Sequence, residues 1–106
     1  MTATEKFNVV KRACDEQKVC QVKFRDELAP RLIHPLGVCL TYNRGLVIVC
    51  CLEGKDNTQQ KSDRVVSNLP IEDCDQIQII EKKFDVLPDF ITKSKICDDW
   101  LFHIPV

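Results

Sequence analysis

The segment that decides the fold runs from Arg31 to Leu52 and reads RLIHPLGVCLTYNRGLVIVCCL. Two apolar stretches flank the polar sequence Asn43-Arg44-Gly45, where the glycine can take the positive φ of a tight turn. The pattern therefore predicts a β-hairpin. Its second strand, Leu46 to Leu52, is apolar at every position, so we expect both of its faces to be covered. A hairpin with such a centre is typical of a small packed β-domain.

The sequence around the hairpin predicts one helix and further strands. Thr2 and Glu5 have the spacing of a helical capping box, and an apolar stripe follows them, so we predict a helix from about Ala3 to Gln17. Alternating apolar residues predict a half-buried strand that ends at Phe24, and a last strand over Gln76–Ile80.

The rest of the chain is less regular. We predict a polar loop or edge strand over Glu53–Ser62, a strand through Arg64–Val66, a short helical turn within Leu69–Cys74 and a short terminal turn or helix over Val86–Ile91. The tail, Ile96–Ile104, is apolar, and either packs back on the domain or contacts a partner.

Length and composition are those of one ordinary globular domain. The chain has 106 residues, of which 44% are hydrophobic and 29% charged, and this balance can support a single core. We treat residues 1–106 as one domain, with a core of about 9–91 and a C-terminal tail of 92–106. The predicted fold class is α+β: a small SH3-like or Sm-like five-stranded β-barrel with an N-terminal helix and a short C-terminal extension.

The cysteines indicate a reducing compartment. There are seven, and they include no CxxC pair and no Cys/His cluster with zinc spacing. Most lie in apolar segments, where a free thiol acts as a small hydrophobe. The chain also has no apolar run of transmembrane length and no signal-peptide pattern. We therefore predict a cytoplasmic protein with free thiols, no metal and no cofactor.

The first strand of the hairpin resembles that of WYL domains, small sensing modules found mostly in bacterial regulators. The residues that carry the resemblance keep the order of that family: Phe24, Arg31, His34, Pro35, Leu36, Gly37, Gly45 and, thirteen residues after Ile71, Phe84. The chain departs from the family at Leu46-Val47-Ile48, where the Trp-Tyr-Leu triad is lost, and at Asp73, where the family has Arg. WYL domains usually follow a helix-turn-helix. With one N-terminal helix, this chain is expected to be a stand-alone module that can act on a regulator in trans.

Seven residues are candidates for ligand binding. Arginine suits phosphate through its planar fork, and an exposed tyrosine can stack on a base. Alternatively, Arg31 forms a salt bridge with Asp26 or Glu27, and the other cations lie on an ordinary solvated face. The candidates are Lys23, Arg25, Arg31, His34, Tyr42, Arg44 and Arg64.

The predicted function is a non-enzymatic regulatory or sensory module. Its ligand would carry negative charge, such as a nucleotide or a short single-stranded nucleic acid. The net charge of -1 excludes strong attraction to nucleic acid through overall charge, so a local basic patch would have to supply it. The alternative is a protein-interaction or self-association module that uses the tail at Trp100–Phe102 or an edge strand. Catalysis by a Cys39/His34 pair is disfavoured, because nothing else in the sequence supports it.

Overall fold

A computed structural model describes residues 1–53, 66–85 and 99–104. These residues form one helix and six strands. A 3₁₀ turn, Ile71–Asp73, joins the fourth strand to the fifth. In chain order the elements are α1 (Ala3–Glu16), β1 (Lys18–Phe24), β2 (Arg31–Thr41), β3 (Gly45–Leu52), β4 (Ser67–Pro70), β5 (Cys74–Lys83) and β6 (Asp99–His103).

The predicted helix and its capping box are confirmed. The Thr2 hydroxyl accepts from the Glu5 amide at 3.1 Å, and the Glu5 carboxylate accepts from the Thr2 amide at 3.0 Å. Two of the four unsatisfied donors of the first turn thereby gain partners. The apolar stripe of α1 packs against β1, β2, β5 and the 3₁₀ turn, and buries Val10, Ala13 and Cys14.

The predicted hairpin is confirmed as β2 and β3. Its ladder runs antiparallel from Ile33 opposite Leu52 to Thr41 opposite Gly45. Gly45 has a φ of 67°, the left-handed conformation that the turn was expected to need. Every residue of β3 from Val47 to Cys51 is buried, so both faces of this strand are covered, as its unbroken apolar sequence predicts.

The sheet is antiparallel, with the strand order β4-β3-β2-β1-β5. Only the 3₁₀ turn separates β4 from β5, so the two outermost strands of this path meet at one end and the sheet must curve. Within the described residues β4 and β5 are not paired, so the sheet is open and barrel closure remains a prediction. The strand count of five was wrong, because the tail adds β6.

The tail packs back on the domain. β2 is long enough to pair with two strands along one edge: β1 lies opposite Arg31–Ile33, and β6 lies opposite Gly37–Leu40. Phe102 of β6 packs edge-on against Phe7 of α1, with ring centroids 5.2 Å apart. Ile104 is fully buried.

The other predicted segments have mixed outcomes. The short helical turn is confirmed as the 3₁₀ turn. The strand at Gln76–Ile80 is confirmed within β5, although β6 rather than β5 is the last strand. The polar stretch after Glu53, most of the strand at Arg64–Val66 and the turn at Val86–Ile91 lie outside the described residues.

The cysteines fill the interior. The six that the structure describes are all buried: Cys14, Cys20, Cys39, Cys50, Cys51 and Cys74. Burial raises the pKa of Cys20 to about 12 and that of Cys74 to about 11, which keeps both thiols protonated and unreactive. In the described ranges, no helix has the length and hydropathy needed to cross a bilayer.

Candidate functional site

A cavity of about 320 Å³ lies where the first turns of α1 meet the start of β3 and the 3₁₀ turn. This volume is at the lower end of the usual range for small-molecule sites. Two of the lining residues are cations and one is a carboxylate. The lining residues are Ala3, Lys6, Arg44, Gly45, Leu46, Ile71 and Glu72.

Lys6 is the most unusual of these residues. It exposes only 9% of its surface, yet within residues 1–53, 66–85 and 99–104 no carboxylate lies within 4.0 Å of its ammonium. The ammonium donates one long hydrogen bond of 3.4 Å, to the carbonyl of Ile71. Removing a charge from water without a counter-charge is costly. A nearly buried ammonium beside a cavity therefore favours an anion in that cavity.

Two of the predicted arginines contact the same segment of chain. Arg44 donates from Nη2 to the Asn68 carbonyl at 3.3 Å. Arg25 donates from Nη2 to the Glu72 carbonyl at 2.7 Å. Together with Lys6, these cations come from three parts of the chain and meet on residues 68–72. The curvature of the sheet brings them together, since they are far apart in sequence.

Each of these cations keeps further hydrogen-bond donors. An ammonium has three N–H groups and a guanidinium has five, and a main-chain carbonyl occupies one side-chain donor of each. Lys6 and Arg44 line the cavity, whereas Arg25 is not among the lining residues and binds the carbonyl of Glu72, which is. The arrangement can therefore bind an anion by charge-assisted hydrogen bonds, and the Glu72 carboxylate can accept a hydrogen bond from a hydroxyl group.

The structure places Arg31 and Lys23 outside the lining of this cavity. Arg31 donates from Nε and Nη2 to the two carboxylate oxygens of Glu27, both at 2.9 Å, so the salt-bridge alternative describes its contacts. The same guanidinium lies 5.5 Å from the ring centroid of Phe24. Lys23 donates to the Phe24 carbonyl at 2.8 Å.

His34 belongs to a separate cluster that links β2, β3 and β5. Its Nε2 lies 2.9 Å from a carboxylate oxygen of Glu53, and its ring stacks on Phe84 at 4.8 Å between centroids. Lys82 donates to the other oxygen of Glu53 at 2.5 Å. The hydrogen bond from Lys82, helped by that from His34, lowers the pKa of Glu53 despite its burial. These contacts hold the ends of β2, β3 and β5 together.

Tyr42 and Arg64 complete the predicted set. Tyr42 exposes 93% of its surface in the β2–β3 turn that also carries Arg44. Arg64 lies outside the described residues. The structure thus brings together Arg25 and Arg44, with Tyr42 on the same turn as Arg44.

Sequence reasoning missed Lys6. Its spacing carried a signal, since Lys6, Val10 and Ala13 follow the i, i+4, i+7 pattern of one helix face. A lysine in register with two core residues is expected to be drawn toward the core. Lys6 was not among the seven candidates.

No family model, curated protein or solved structure matches the chain. In the part of the chain that the structure describes, no group of three or more His, Cys, Asp or Glu residues has a geometry that could hold a metal ion. The cavity beside Lys6 and the residues around it are therefore the features that indicate a function.

Proposed function

We propose that the chain is a non-enzymatic sensory or regulatory module that binds a negatively charged ligand, such as a nucleotide or a short single strand, in the cavity beside Lys6. The observation that carries the proposal is the nearly buried Lys6 ammonium, which has no carboxylate partner among the described residues. Arg44 supplies a second cation to the same cavity. Tyr42, on the same turn, offers a ring for stacking on a base.

Several broader features belong to the same proposal. The three-residue connection between β4 and β5 supports a strongly curved, SH3-like sheet. The His-Pro-Leu-Gly order in β2 and the position of Phe84 support the WYL resemblance. We place the module in the cytoplasm of a bacterium, where its ligand-bound form would modulate a transcription regulator in trans. The buried thiols support a reducing compartment.

The test is a titration of the ¹⁵N-labelled full chain with adenosine 5′-monophosphate and with a short oligodeoxynucleotide, followed by amide NMR. We expect saturable shifts at the cavity residues, such as Lys6, Gly45 and Ile71, and weaker binding as salt is raised. Adenosine, which lacks the phosphate, is the ligand control. An unchanged spectrum with both charged ligands would contradict the proposal.

A matched pair of variants locates the binding. Lys6→Met removes the buried ammonium but retains its apolar stem, and is expected to abolish the shifts. Lys11→Met makes the same change at an exposed position of α1 and is expected to leave them intact. If both variants lose the ligand-induced shifts equally, or if neither loses them, Lys6 is not the residue that binds the anion.

A second candidate is self-association or binding of a protein partner along the β2–β6 pair. Leu40 and Leu101 lie on these neighbouring strands, and each exposes 45% of its surface, which supports an apolar contact there. Sedimentation equilibrium of the wild type and of a Leu40→Lys, Leu101→Lys variant tests it. A wild-type dimer that the variant dissociates would favour this candidate, and a wild-type monomer at high concentration would count against self-association.

A further inference from the structure

We infer that the cavity beside Lys6 selects a terminal phosphate monoester, as in a mononucleotide, over the internal phosphodiesters of a nucleic-acid strand. This inference rests on the proposed function and narrows it to one class of ligand. It follows from the volume of the cavity, from the burial of Lys6 and from the acidic residues beside the site.

The space in the cavity favours a terminal phosphate. A phosphodiester carries a substituent on both sides of its phosphorus, so a strand that placed an internal phosphate on Lys6 would have to fit two substituents around the cavity. The cavity holds only about 320 Å³, and Lys6 is nine-tenths buried. A terminal phosphate has a single substituent, which can point outward toward the rim while the phosphate reaches the ammonium.

The second step concerns charge. A phosphate monoester carries close to two negative charges at neutral pH, whereas a diester carries one. Lys6 and Arg44 present two cations to the cavity, and both bind the more highly charged oxygens of a monoester more strongly than those of a diester. Both have donors beyond those that bind main-chain carbonyls, so several charge-assisted hydrogen bonds to one terminal phosphate are available.

The third step concerns the acidic residues beside the site. Glu72 lines the cavity, and Asp73 and Asp75 follow it in the 3₁₀ turn and at the start of β5. A second phosphate of a strand laid across this wall would meet the Glu72 carboxylate and be repelled. One phosphate on Lys6 avoids that repulsion, and the Glu72 carboxylate can accept a hydrogen bond from a hydroxyl group. The site therefore fits a phosphate that is attached to a hydroxylated group such as ribose.

The experiment compares ligands that differ only at the phosphate. Calorimetric titration of the full chain uses adenosine 5′-monophosphate against its methyl diester, and one tetranucleotide with a 5′-phosphate against the same tetranucleotide with a 5′-hydroxyl. We expect each ligand with a terminal phosphate to bind roughly tenfold or more tightly than the matched ligand without one. The more highly charged phosphate accepts stronger hydrogen bonds from the Lys6 ammonium and the Arg44 guanidinium. Stronger binding of the mononucleotide than of the 5′-phosphorylated tetranucleotide would identify a free nucleotide as the preferred source.

Two variants test whether Arg44 is responsible for the preference for a phosphate monoester. Arg44→Gln removes one of the two cations and is expected to reduce the monoester preference, whereas Arg12→Gln, at an exposed position of α1, is expected to preserve it. Equal binding of monoester and diester would overturn the inference while leaving the proposed function standing. No binding of any charged ligand would overturn both.

Discussion

Replacing Gly37 with alanine should loosen the contact between β2 and β6. A Cβ at this position would lie 2.6 Å from the carbonyl oxygen of Phe102, 2.8 Å from the Trp100 ring and 2.9 Å from the Cα of His103. Two of these atoms belong to the main chain of β6, so rotation of a side chain cannot relieve the overlap. β6 would have to move away from β2.

The cost can be worked out from these contacts. Overpacking of a close-packed site lowers stability by about 1 to 3 kcal/mol. Alanine loses less backbone conformational entropy on folding than glycine, which raises stability by about 0.5 to 1 kcal/mol. The difference is a net loss of up to about 2.5 kcal/mol in the free energy of unfolding, centred on about 1 kcal/mol, which for a domain of this size lowers the Tm by about 5 °C. Gly37 does not have a positive φ, so the loss comes from the overlap alone.

The assay is urea denaturation followed by fluorescence. Trp100 is the only tryptophan and touches the substituted position, so its emission should shift in the native Gly37→Ala protein as well as on unfolding. Gly45→Asn is the control, because asparagine tolerates a positive φ and the space at Gly45 is open. An unchanged midpoint and an unchanged native emission for Gly37→Ala would refute the close approach of β6.

Three further perturbations follow from the contacts. Glu53→Gln should cost roughly 1 kcal/mol at neutral pH. Hydrogen bonds from Lys82 and His34 lower the pKa of Glu53 in the folded protein below its ordinary value of 4.5. The stability difference between variant and wild type, measured from urea midpoints, should therefore vanish as the pH falls from 4.5 through the lower pKa of the folded protein. Thiol labelling of the native protein should spare the six buried cysteines, whereas the denatured chain should label at all seven; rapid native labelling of more than one would contradict the core packing. Thr2→Ala should lower stability by about 1 kcal/mol through loss of the cap, seen as a lower Tm by circular dichroism.

Local patterns predicted most of the secondary structure because each depends on a few neighbouring residues. The Thr2–Glu5 capping box, the glycine turn at Gly45 and the unbroken apolar run of β3 each have a direct physical reading, and all three are confirmed. The sequence left open whether the tail that forms β6 packs on its own domain or contacts a partner, because no local pattern determines which strand an apolar tail pairs with. Gly37 was quoted for its place in a motif, whereas its structural role is to admit the main chain of β6.

The candidate site was only partly predictable for a similar reason. Arg25 and Arg44 were chosen for their charge, and the curvature of the sheet brings both to residues 68–72. Arg31 was chosen on the same grounds, but its guanidinium forms an ion pair with Glu27, four residues earlier in the chain. The burial of Lys6 depends on which face of α1 meets the 3₁₀ turn, and that contact joins residues 65 positions apart in sequence.

The most direct test of the central claim is to observe the Lys6 ammonium itself. The ¹⁵Nζ resonances of the lysines can be followed by NMR while adenosine 5′-monophosphate is added, with Lys6→Met used to assign the signal. We expect a saturable shift of the Lys6 Nζ resonance with little change at Lys18 and Lys82, which do not line the cavity and form ion pairs with Glu81 and Glu53. If the Lys6 resonance stays fixed while the nucleotide binds elsewhere or does not bind, the cavity beside Lys6 is not an anion site.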